Sequence, residues 1–134
     1  PWGTDSGPSG SSKGWAEMDR VLPLQLLEWA QLRERDAGLP LVLAGDFNLS
    51  LGGKHYYGTQ RARKVMREGL GTLGLFCATE WDRIPSGLLR HSPIDHVVVP
   101  AEWQGRTNVV AAWEGREPDA VALSDHSGAV VEVA

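Results

Sequence analysis

Apolar residues at helical spacing mark two stretches of the chain. Between residues 15 and 37, charged residues separate large apolar side chains that recur every three or four positions, namely Trp15, Met18, Val21, Leu22, Leu26, Trp29 and Leu32. This spacing predicts a helix that begins or kinks at Pro23 and ends before Gly38. Residues 60–70 predict a second, shorter helix with a basic face, which either is solvated or guides a phosphate, formed by Arg61, Arg63, Lys64 and Arg67.

Short apolar runs without helical spacing predict four strands. Residues 41–44 (LVLA) form a continuous apolar run that predicts a buried strand, and residues 94–99 predict a β-branched strand that Pro100 ends. Residues 109–113 and 128–133 predict two more strands. Because helices and strands are intermixed along the chain, we expect an α/β or α+β layered fold.

Composition places these elements in one folded domain. The chain has 134 residues, 42% of them apolar and 22% charged, which suffices for a domain with a buried core over residues 15–134. Residues 1–14 are rich in Gly, Ser and Pro and predict a flexible lead-in or loop. Cys77 is the single cysteine, so an internal disulfide is excluded, and its apolar neighbours favour a small buried side chain over a reactive thiol.

The net charge of −4 limits the classes of partner. It excludes a basic module that holds nucleic acid by charge alone. It leaves open a phosphate-bearing substrate, because a divalent cation can supply the positive charge that the chain lacks.

Residues 45–48 (GDFN) follow the first predicted strand and carry a carboxylate and a carboxamide. In an extended stretch, alternate side chains project to the same side, so Asp46 and Asn48 should point into one pocket. Such a pair can take a proton from water and hydrogen-bond a charged oxygen. The alternative is an ordinary strand-end turn, in which Gly, Asp and Asn are common.

Two further motifs combine a carboxylate with an imidazole. Asp95, in residues 94–97 (IDHV), lies early in an apolar strand, where it either needs a partner such as a histidine from a neighbouring strand end or occupies an exposed edge. Asp125 and His126, in residues 124–126 (SDH), precede the last strand. They can bind a metal or its water and donate to a phosphate oxygen, or they can form a polar turn.

The three motifs in this order, each at a strand end, resemble the endonuclease/exonuclease/phosphatase superfamily. GDFN is similar to the family's GD-x-N motif, IDHV to its ID-(Y/H) strand, and SDH to its C-terminal SDH. The resemblance covers residues 15–133 and corresponds to about the second half of the family's DNase I-like domain, a β-sandwich flanked by helices. It implies a phosphoesterase, either a nuclease or a phosphatase, that uses Mg²⁺ or Mn²⁺ for in-line attack of water on a phosphodiester or phosphomonoester.

The resemblance also assigns a role to each motif residue. Asp46 would position or deprotonate the attacking water, and Asn48 would bond the phosphate and the nucleophile. His126 would stabilise the five-coordinate phosphorus, Asp95 would orient His126, and Asp125 would lie at or near the metal. In the loop after GDFN, family members contact substrate, so His55 is a candidate substrate-binding residue, the alternative being a solvent-facing loop.

The first half of the family domain, which carries the glutamate that is the main metal ligand, has no counterpart here. We therefore expect weak metal binding by this chain alone and an exposed apolar face, which a missing N-terminal half or self-association would cover. The alternative function is a non-catalytic binding or interaction module on the same fold. Because fold does not fix substrate, nucleic acid, phosphorylated small molecules and lipid head groups all remain open.

Overall fold

The computed structural model describes residues 13–54, 57–115 and 124–134. Most of the lead-in predicted over residues 1–14 lies outside these ranges, but residues 13 and 14 already belong to the first helix. The fold is of the α+β class, with antiparallel sheets and helices, as expected. Its elements are α1 (Lys13–Arg35), β1 (Leu43–Asp46), α2 (Gln60–Thr72), β2 (Leu75–Cys77), β3 (Asp95–Pro100), β4 (Thr107–Trp113) and β5 (Gly128–Val133), with 3₁₀ turns at Trp81–Arg83 and Ala101–Arg106.

Helix α1 continues through Pro23, which therefore does not begin it. A proline inside a helix costs about 3 kcal/mol because it removes one hydrogen bond and crowds the preceding turn. Buried apolar side chains on both sides of Pro23, from Met18 to Trp29, pack into the main core and offset that cost. Among the described residues, neither helix has the length and apolar character needed to cross a bilayer.

Helix α2 is held at its N-terminus and along one face by polar contacts. Thr59 caps it by accepting from the Ala62 N–H at 2.9 Å. The buried Arg63 guanidinium donates to the carbonyls of Gly52 at 2.7 Å and Gly53 at 3.1 Å. The predicted basic face is therefore wrong for Arg63, which points inward and supports a loop instead of facing solvent or phosphate.

The three-stranded sheet has the order β1-β3-β2, with both pairings antiparallel. The prediction of a buried strand over residues 41–44 is wrong in its bounds and in its burial. Strand β1 covers Leu43–Asp46, and only Leu43 is half-buried. The reason is that β1 pairs with β3 on one side and, within the described part of the chain, has no strand on the other. Val42 beside it is 47% exposed.

Strands β4 and β5 form a separate antiparallel pair with a bulge between Val109 and Ala111. The inward side of this pair packs on a small cluster that includes Ile84 and Leu89. Several large apolar side chains on its other side are exposed, namely Val110, Trp113 and Val130. Exposed apolar surface, which the sequence predicts, is therefore present on this pair as well as on α1 and beside β1, at Leu24, Leu27 and Val42.

Candidate active site

The site forms where β1 ends and β3 begins. The strand register places Asp46 directly opposite Asp95, and the Phe47 N–H continues the pairing by donating to the Ile94 carbonyl at 2.9 Å. Like charges directly opposite each other on paired strands are destabilising. This corner of the fold therefore needs positive charge close to the two carboxylates.

Asp46 and Asn48 lie together, as the GDFN pattern predicts, but the chain brings them together differently. The stretch is not extended, because Asn48 has φ 49° and turns the backbone. Its backbone N–H donates to Asp46 Oδ1 at 2.7 Å, and its Nδ2 donates to Asp46 Oδ2 at 2.8 Å. Asparagine tolerates this left-handed conformation better than most residues. The turn places a carboxylate and a carboxamide in direct contact.

His126 provides the partner that Asp95 needs. Its Nδ1 lies 2.6 Å from Asp95 Oδ2, so Nδ1 carries a hydrogen and donates it to the carboxylate. This hydrogen bond is the main cause that raises the pKa of His126. Burial is the next largest effect and acts in the opposite direction, and the charges of Asp95, Asp46 and Asp125 add to the increase. Both side chains are 34% exposed, so the His126 ring remains accessible to a ligand.

Within the described part of the chain, one group of residues could hold a cation, namely Asp46, Asp95 and His126, with His126 a ligand only through a ring nitrogen that carries no hydrogen. One ligand atom from each lies within 4.8 Å of the others. Asp125 is farther out: its carboxylate is 86% exposed, and Oδ1 lies 3.8 Å from His126 Nε2. Two carboxylates suit a hard ion such as Mg²⁺ or Mn²⁺, which needs six ligands and keeps several waters. Such a set fits a weakly held divalent ion.

Two openings meet at this corner. A groove of about 670 Å³ runs between α1 and β1 and includes Asp46 and Asn48 in its lining. A smaller hollow of about 370 Å³, with Asp95, His126 and Trp113 in its lining, lies between the two sheets. The proposed substrate contact His55 lies outside the described residues.

His96 lies within the IDHV motif, but the sequence assigned it no role in the site. It is 1% exposed, and its Nε2–H donates to the Leu49 carbonyl at 2.8 Å. Its Nδ1 lies 3.1 Å from Thr79 Oγ1, which itself accepts from the Val97 N–H at 3.1 Å. The threonine hydrogen is therefore available to Nδ1, and both ring nitrogens of a neutral imidazole are satisfied. Strand alternation is the signal that finds it, because the neighbour of an outward Asp95 points inward.

Burial keeps His96 neutral. It lowers the pKa of the imidazole to about 4, although the hydrogen bond to the Leu49 carbonyl, the charges of Asp95 and Asp46 and the backbone of Thr79 act in the other direction. The pKa values of the two histidines near Asp95 are thus shifted in opposite directions. His96 is a neutral buried side chain, whereas His126 gains a proton more readily than a free histidine.

Comparison of the chain with protein-family models, with curated proteins and with solved structures found no match.

Proposed function

We propose that this chain supplies the Asp46–Asn48 and Asp95–His126 pairs of a divalent-metal-dependent phosphoesterase of the endonuclease/exonuclease/phosphatase type. The observation that carries the proposal is that three separate segments bring two carboxylates and an imidazole within 4.8 Å of one another. The Asp–Asn contact and the Asp–His contact are made independently within that group. An ordinary strand-end turn accounts for the first contact but not for both.

The reaction follows from the position of each group. Asp46 orients the attacking water and accepts its proton, while the second amide hydrogen of Asn48 bonds a phosphate oxygen. His126 uses Nδ1 to donate to Asp95, so its Nε2–H is available to donate to a second phosphate oxygen. Water forms a new P–O bond, the ester P–O bond breaks, and the departing oxygen takes up a proton from solvent, to which Asp46 returns the proton that it accepted. A divalent ion, when bound, balances the negative charge that develops.

The finer architecture belongs to the same proposal. Two small antiparallel sheets with α1 and α2 packed against the first are consistent with part of a DNase I-like β-sandwich flanked by helices. The exposed apolar side chains around β1 and on β4 and β5 support a further covering segment, either an N-terminal half or a second copy. A glutamate from such a segment would complete the metal ligands.

A binding module without catalysis is the second candidate. The observation that favours it is the composition of the cation group, which within residues 13–54, 57–115 and 124–134 contains two aspartates and one histidine but no glutamate. Asn48 and His126 would then hold a phosphate without activating water.

Hydrolysis of bis(p-nitrophenyl) phosphate and of p-nitrophenyl phosphate, with and without Mg²⁺ or Mn²⁺, tests the proposal. The assay is run on this chain and on a version extended upstream, each with Asp46→Asn and with Asp82→Asn as the matched control at an exposed aspartate. We expect metal-dependent turnover that Asp46→Asn reduces at least about 100-fold and that the control leaves unchanged. Phosphate binding without turnover in either version favours the binding module. The absence of both turnover and phosphate binding would refute both candidates.

A further inference from the structure

The left-handed turn at Asn48 needs support from outside the motif. A non-glycine residue with φ 49° is unfavourable for the isolated backbone. Its two hydrogen bonds to Asp46 lie at the surface, where water competes for both groups. The next residue, Leu49, is 1% exposed, and its carbonyl faces the interior. Whatever holds that carbonyl also holds the turn.

His96 holds it. The Nε2–H donates to the Leu49 carbonyl at 2.8 Å, and the ring lies edge-on to Phe47, with centroids 5.5 Å apart and an interplanar angle of 80°. The imidazole thus contacts the residues on both sides of Asn48. The Leu49 carbonyl can only accept, so it selects the ring form that donates from Nε2. Nδ1 then carries no hydrogen, and the Thr79 hydroxyl, which accepts from the Val97 N–H, can donate its own hydrogen to Nδ1.

We propose that His96, which Thr79 supports at Nδ1, is a positioning residue that fixes the Leu49 carbonyl and thereby keeps the Asn48 amide groups on Asp46. His96 touches no substrate in this scheme and acts through Asn48 alone. The inference rests on the proposed function only for its catalytic consequence, since the positioning itself is a property of the fold.

The test compares His96→Leu, which removes the Nε2–H donor, with His96→Gln, whose amide nitrogen reaches the same carbonyl. Ser92→Ala is the matched control, because Ser92 donates to the Leu51 carbonyl at 3.1 Å and supports the same loop two residues farther on. NMR spectra of each ¹⁵N-labelled protein report the backbone and side-chain amides of Asn48. Turnover of bis(p-nitrophenyl) phosphate is measured on the same variants in the active version of the protein.

We expect His96→Leu to shift the Asn48 amide signals toward solvent-exposed values and to speed their hydrogen exchange at least about tenfold. It should lower kcat by about 10-fold to 100-fold with KM nearly unchanged, because a misplaced group weakens interactions made in the transition state. His96→Gln should restore the signals and most of kcat. Ser92→Ala should leave both unchanged even where it lowers stability.

Unchanged Asn48 signals in a folded His96→Leu protein would overturn the proposal, and so would an equal response to Ser92→Ala. If His96→Leu does not fold, His96→Phe decides in its place, because it keeps an aromatic ring beside Phe47, removes the Nε2–H donor and should shift the same Asn48 signals. If the wild-type protein has no turnover, the proposed function fails by itself, and the NMR comparison still decides the positioning role.

Discussion

His96 should make the chain lose stability as the pH falls through the range in which a histidine in an unfolded chain takes up its proton. In the folded protein the imidazole is 1% exposed, donates to Leu49 and accepts from Thr79. A second proton would place a charge in this interior and a second hydrogen between Nδ1 and the threonine. Burial lowers the pKa to about 4, from an ordinary value of 6.5, and the nearby charges of Asp95 and Asp46 restore only a part.

The difference of about 2.5 pKa units corresponds to roughly 3 kcal/mol, at about 1.4 kcal/mol per unit. Between pH 6.5 and 4 the unfolded chain binds this proton and the folded chain does not. The free energy of unfolding therefore keeps its full value above pH 6.5, falls as the pH drops through this window and levels off below about 4. His126 has the opposite sign: its pKa is raised, so its contribution is present below 6.5 and is lost as pH rises through the folded value.

Urea unfolding followed by tryptophan fluorescence at pH 7.5, 6, 5 and 4 measures the effect. The comparison is His96→Gln, which keeps a donor for Leu49 but does not titrate. The other three histidines are present in both proteins, so their contributions cancel. Between pH 7.5 and 4 the wild-type protein should lose about 3 kcal/mol more than the variant. Equal losses, or an imidazole of His96 that titrates near pH 6.5 in NMR spectra of the folded protein, would show that burial does not keep His96 neutral.

Two further outcomes follow from the same contacts. Asp95→Asn should lower the pKa of His126, because it removes the charged acceptor of its Nδ1–H, and an NMR titration should find a smaller change for Asp125→Asn, whose carboxylate is exposed. Burial raises the pKa of Cys77 to about 12, so in the folded protein at pH 8 it should react with a thiol reagent at least about 100-fold more slowly than in urea. Rapid labelling of the folded protein would contradict that expectation.

The helices and the longer strands could be predicted from the sequence because their signals are local. The spacing in α1 and the runs in β3 and β5 are visible within a few residues. The three residues of β2 are too few to carry a period, and they form a strand only because β3 lies beside them. The predicted burial of β1 was wrong for a related reason. Burial depends on which strands lie beside β1, and long-range pairing sets those neighbours.

The candidate site, too, could be predicted from the sequence only in part. Residue types at strand ends singled out Asp46, Asn48, Asp95 and His126, and the structure brings these four together. Residue types and spacing alone left open which histidine pairs with Asp95, and the family resemblance pointed to His126, which contacts Asp95 in the structure. The adjacent His96 cannot pair with Asp95, because alternation along β3 points it to the buried side, where its Nε2–H donates to the Leu49 carbonyl.

The corner where β1 meets β3 concentrates features that are unfavourable one by one. Two carboxylates oppose each other across paired strands, an asparagine holds a left-handed backbone, and a buried imidazole is kept neutral beneath them. Folded proteins keep such features together where other contacts compensate for them, and they occur preferentially at functional sites. The compensation here is specific, since Asn48 binds Asp46, His126 binds Asp95, and His96 binds the carbonyl behind the turn. A turn that only reversed the chain would need none of these three contacts, so their coincidence favours a site that handles negative charge over an ordinary strand end.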